Sequence, residues 1–103
     1  MRWNYKIDAL EFVPTGHDLT CVIHRLAFRA VMKITKPRSL ECLLYAADQR
    51  TAFHAAGLSK AKRLGLSPGA RFHITSRDVR RSLSLSPAEA AQEIAGQCAD
   101  KAP

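Results

Sequence analysis

Two β-prone runs separated by five turn-forming residues limit what the start of this chain can become. Leu10-Glu11-Phe12-Val13 and Leu19-Thr20-Cys21-Val22-Ile23 flank Pro14-Thr15-Gly16-His17-Asp18, and the pattern predicts a hairpin with a loop of about five residues. Upstream, Trp3, Tyr5 and Ile7 alternate with polar residues and either extend the first strand or form a separate one.

Beyond the hairpin the apolar period changes from two to that of a helix. Arg25 to Ile34 reads as a first helix, with Leu26, Ala27, Ala30, Val31 and Ile34 on one face. Arg25, Arg29 and Lys33 stack on the other. Pro37 prevents continuation. Ser39 is the expected N-cap of a longer helix whose apolar stripe is Leu40, Leu43, Leu44, Ala47, Thr51, Ala55 and Leu58. Gly57 is its candidate end, with Ser59 restarting a short helical turn through Leu64. Ser67-Pro68-Gly69 marks a turn. After it Ala70, Phe72 and Ile74 alternate with Arg71, His73 and Thr75, predicting a strand paired into the N-terminal sheet with Arg71 and His73 outward. Ser76 is placed to cap a short helix over 77–83, and Ser86-Pro87-Ala88-Glu89 opens a last one over Pro87–Ala99.

The expected class is therefore α+β. A small antiparallel sheet, the hairpin plus the later strand, packs against two main helices, and a helical extension follows. At 103 residues the chain reads as a single α+β domain over 1–86 with a C-terminal helix or tail over 87–103. No stretch has the charge–apolar–cleavage pattern of a secretory leader or the length of a membrane span. Three cysteines at irregular spacing, Cys21, Cys42 and Cys98, fit reduced thiols better than a disulfide framework. These features predict a cytoplasmic protein with no membrane partner.

The Leu19-Thr20-Cys21-Val22-Ile23-His24 hairpin exit running straight into a helix resembles the small bacterial family called domain of unknown function 1488. Phe53-His54 on the long helix and Ile74-Thr75-Ser76-Arg77-Asp78 after the last strand extend the resemblance over roughly residues 9–80. The chain departs from that pattern at His24, where the family tends to have a small hydroxyl cap, and in carrying residues 82–103. The resemblance implies a compact α+β fold and assigns no residue a role.

Charge carries the functional expectation. The net +7 is concentrated in residues 24–81, where thirteen lysines and arginines face three acids. Such a surface attracts polyanions and acidic partners. Arg25, Arg29 and Lys33 form one candidate binding stripe, with Phe28 and Met32 beside it. Lys60, Lys62, Arg63, Arg71, Arg77, Arg80 and Arg81 form a second candidate cluster. Phe28, Met32, Tyr45 and Phe53 lie off the main apolar stripes and are the candidate interaction surface for a homodimer or another partner. Ala61-Lys62-Arg63-Leu64-Gly65-Leu66-Ser67 has the spacing of a helix-turn-helix centre, a reading opposed by Pro68-Gly69 and by the alternation that follows.

No Cys-x-x-Cys or His-x₃-His pair, nucleophile elbow, phosphate loop or dinucleotide fingerprint is present. His54 reads as a hydrogen-bonded core histidine. The chain is therefore expected to be a non-catalytic binding or regulatory protein without cofactor or metal. Its partner is a nucleic acid or an acidic protein; the alternative is a protein-interaction module acting as a homodimer or as an inhibitor of its partner.

Overall fold

The computed structural model describes residues 1–83; the predicted helix over Pro87–Ala99 lies outside them. Four strands and four helices follow in the order β1 (Arg2–Asn4), β2 (Ala9–Phe12), β3 (Leu19–His24), α1 (Arg25–Met32), α2 (Ser39–Asp48), α3 (Arg50–Leu64), β4 (Ala70–His73) and α4 (Ser76–Leu83). The fold is α+β, one sheet packed against helices.

The strands lie side by side in the order β1-β2-β3-β4. The hairpin forms as expected, with Gly16 at φ 81° in its loop and the His17 N–H donating to the Pro14 carbonyl. Trp3 belongs to a separate strand, while Tyr5 and Ile7 fall in the turn between β1 and β2 and are exposed. That turn is built by the Asn4 side chain, which accepts the Lys6 N–H at 3.0 Å, and by Asp8 in the left-handed region at φ 53°.

The later strand joins the sheet as predicted, with Phe72 and Ile74 buried and Arg71 and His73 exposed, but it runs parallel to β3 rather than antiparallel. The connection decides this. The chain leaves β3 at His24, travels through three helices, and re-enters at Ala70 beside Leu19, so the helices carry it back along the strand. A 2.6 Å hydrogen bond from the Gly69 N–H to the Asp18 carbonyl fixes the re-entry point. Residues 70–73 being strand, the second helix of a helix-turn-helix is absent there; Gly65, at φ 65°, is the left-handed cap that ends α3.

Pairing register sorts the side chains by face. Trp3, Leu10 and Ile23 form one row of the core face, and Phe12, Cys21 and Phe72 another. The helices close on these rows through Phe28, Cys42, Ala46, Phe53, Ala56, Ala61 and Val79. Phe28 stacks on Phe53, with centroids 5.7 Å apart, at the centre.

The expected long helix is two. The chain bends at Gln49, which lies outside helical geometry at φ −101° and ψ 31°, so α2 and α3 bury different faces. Gly57 does not end α3 but sits inside it, against β3. A Cβ there would lie 2.6 Å from the Cys21 Sγ, so only glycine permits this approach. Replacing Gly57 with Ala should therefore destabilise the fold by about 1–3 kcal/mol, despite alanine's better helix propensity. In a Cys21→Ala background the same change should become neutral or stabilising. Urea denaturation of the four proteins of this double-mutant cycle measures both.

Candidate binding groove

The first helix begins with no side-chain cap: His24 occupies the N-cap position but makes no capping hydrogen bond. The Arg25 N–H instead donates to the Asp8 carbonyl at 3.2 Å, which brings the β1–β2 turn against the start of α1. The Arg25 side chain then binds the same residue. Its Nε donates to the Asp8 carboxylate at 2.9 Å and its Nη2 at 2.6 Å. Nη1 donates to the Pro37 carbonyl at 2.6 Å, Nη2 also reaches Ser39 Oγ at 2.8 Å, and the guanidinium lies 4.8 Å from the Trp3 ring centre. The Arg25 hydrogen bonds, with its charge, hold the Asp8 carboxyl below its ordinary pKa.

Three segments thus meet at one guanidinium, and between them lies a groove of about 680 Å³. Ile7 and Leu26 give it exposed apolar walls above the buried Pro37, and Arg29, Lys36 and Arg38 stand along it. None of these three cations forms an ion pair within the described residues. Leu26, expected to face the sheet, is 69 % exposed, and Phe28, expected beside the basic stripe, is fully buried. The first helix is turned on its axis relative to the sequence reading, because Phe28 fills the space above Trp3 and Phe53.

The predicted stripe is accordingly divided. Arg25 is a structural clasp, Arg29 stands at the groove, and Lys33 takes a left-handed conformation, φ 58°, that ends α1. Lys36 and Arg38, one turn further on, complete the cationic edge. The N-cap of α2 is Arg38 rather than Ser39: the Glu41 carboxylate accepts the Arg38 N–H at 2.7 Å, and the Ser39 hydroxyl is taken by Arg25.

The second cluster does not form one patch. Lys60 and Arg63 bind the Asp78 carboxylate at 3.1 and 3.5 Å and tie α3 to α4. Burial alone would raise the Asp78 carboxyl; hydrogen bonds from Thr75 and Lys60 outweigh it and lower the pKa. The same Thr75–Asp78 exchange caps α4, one residue before the expected Ser76. Arg71 lies on the other face of the sheet, where it, Arg2 and Asn4 converge on Glu11. Lys62 is exposed at the end of α3, and Arg77, Arg80 and Arg81 are exposed together on one side of α4.

The proposed interaction surface is corrected as well. Phe28 and Phe53 are fully buried and unavailable to a partner, while Met32 and Tyr45 are half-buried against the core, Tyr45 edge-on to Phe53 at 6.1 Å. On α1 and α2 the exposed large apolar side chains are instead Leu26, Leu40 at 63 % and Leu44 at 60 %, with Tyr5, Val13 and Leu64 exposed elsewhere. The sequence offered a signal for this in the apolar residues on both sides of α2–α3, which one buried face cannot absorb.

Burial pushes the Cys21 thiol up to about 12 and that of Cys42 up to about 11, the opposite of an activated nucleophile. His54 stacks on Phe12 at 5.4 Å, and burial lowers its pKa. Among the described residues no three His, Cys, Asp or Glu side chains gather in a metal-binding group, and no helix is long and apolar enough to cross a membrane.

Comparison with protein-family models, curated proteins and solved structures finds no match.

The Glu11 cluster predicts a pH dependence. Hydrogen bonds from Arg71, Asn4 and Arg2 hold this carboxyl at about 2, below its ordinary 4.5. A depressed carboxylate stabilises the fold above its unfolded pKa and loses that contribution as pH falls through the folded value. Wild type should therefore melt above Glu11→Gln at neutral pH, with the gap closing between about pH 4.5 and 2. Melting temperatures of the two proteins across that range measure it.

Proposed function

We propose that the protein is a non-catalytic binding module whose α1–α2 groove takes an acidic polypeptide segment bearing apolar side chains. The groove itself carries the reading: exposed apolar walls from Ile7 and Leu26 combined with the cations Arg29, Lys36 and Arg38, which lack acidic partners within the described residues. Apolar surface rewards burial of leucine-like side chains, and the cations select an acidic frame around them. Arg25 is already bound to Asp8, Pro37 and Ser39, so it shapes the site without needing to contact the ligand.

A second reading, nucleic-acid binding, draws on Arg77, Arg80 and Arg81, which share the exposed side of α4 at i, i+3 and i+4. It lacks an exposed aromatic on that helix for bases to stack upon.

Fluorescence anisotropy with a labelled helical peptide of leucines at i, i+4 and glutamates between them separates the two. The groove reading expects binding that weakens at least tenfold in Arg29→Glu/Lys36→Glu, and at least tenfold for polyglutamate without leucine. Equal affinity for both peptides, or indifference to the groove variant, contradicts it. Tight, salt-sensitive binding of DNA or RNA that survives the groove variant but not Arg77→Glu/Arg80→Glu establishes the second reading instead.

A further inference from the structure

The groove's complement is present on the same chain. The outer side of α2 exposes Leu40, Leu44, Ala47 and Asp48, which fall at i, i+4, i+7 and i+8 on one helical face. Leu40 and Leu44 are among the most exposed large apolar side chains of the protein. The acids of α2, Glu41 and Asp48, are exposed, and no lysine or arginine lies within the helix. This is an acidic helix carrying leucines one turn apart, the chemistry that the groove requires.

We infer that the segment occupying the groove is the α2 face of a second copy of this chain, an inference that rests on the groove reading above. Pro37 and Arg38 line the groove and α2 begins at the next residue, so the basic and acidic halves adjoin. A two-fold axis between such halves sets each groove against the other copy's α2 and satisfies both contacts at once, as an isologous interface demands. Leu40 and Leu44 then enter the groove beside Leu26, and Asp48 meets the cations of the opposite edge. The dimer surface is thus α1–α2, not the buried Phe28 and Phe53.

Charge reversal in two proteins, followed by mixing, tests the arrangement. Variant one carries Arg29→Glu and Lys36→Glu in the groove; variant two carries Ala47→Lys and Asp48→Lys on α2. All four side chains are exposed and none forms an ion pair among the described residues, and circular dichroism confirms that each variant folds. Sedimentation velocity should give wild type at twice the 11.4 kDa chain mass and each variant alone as a monomer. An equimolar mixture should restore the dimer, because the heterodimer pairs opposite charges at both contacts. A monomeric wild type, variants that dimerise like wild type, or a mixture that stays monomeric overturns the inference. The peptide experiment keeps the two proposals apart. A monomeric wild type whose peptide binding still depends on Arg29 and Lys36 leaves the groove reading standing and removes only the second copy. Loss of both results removes both.

Discussion

One guanidinium fixes the relation between the β1–β2 turn, the start of α1 and the segment that leads into α2. Arg25 binds Asp8 from the first, belongs to the second, and binds Pro37 and Ser39 from the third. Its fork geometry suits this task, since five donors in one plane reach a carboxylate, a carbonyl and a hydroxyl together. Trp3 closes the face of the same group. The groove is what remains between segments held apart at that distance, so its shape follows from one side chain.

Two further acids, Glu11 and Asp78, have similar duties. Glu11 gathers Arg2, Asn4 and Arg71 across three strands, and Asp78 gathers Lys60 and Arg63 across two helices. In a chain with a large excess of base over acid, Asp8, Glu11 and Asp78 serve to join elements. Among the described residues the groove edge gathers three cations without acidic partners, Arg29, Lys36 and Arg38, beside exposed apolar surface. Net charge alone gave no means of telling these locations apart.

Local pattern revealed the sheet and hid the helices' orientation. The β-prone runs 10–13 and 19–23 and the alternation in 70–75 mark strands that lie close to where they were placed. The parallel entry of β4 was not legible, because it depends on three helices returning the chain. Short helices with apolar residues on more than one side leave the buried face undecided: in α1 Phe28 displaced Leu26 and Ala30 from the core, and in α2 Leu40 and Leu44 were displaced outward. The bend at Gln49 carries no Gly or Pro, so nothing in the residues announced it, and Gly57, which looked like an end, serves the contact with Cys21. For the same reasons the candidate cations were identified by type but not by role. Arg29 belongs to the groove and Arg25 builds it, while Lys36 and Arg38 complete it.

Amide hydrogen exchange of wild type and Arg25→Ala tests the central claim, that this side chain holds the groove walls in place. If Arg25 is the clasp, the amides bonded in these segments, Lys6 and residue 25 at the β1–β2 turn and Arg38 and Cys42 at the start of α2, should lose protection together in the variant, while β2, β3 and α3 keep theirs. Unchanged protection in both segments, or loss in only one of them, would contradict a single guanidinium as the element that joins them.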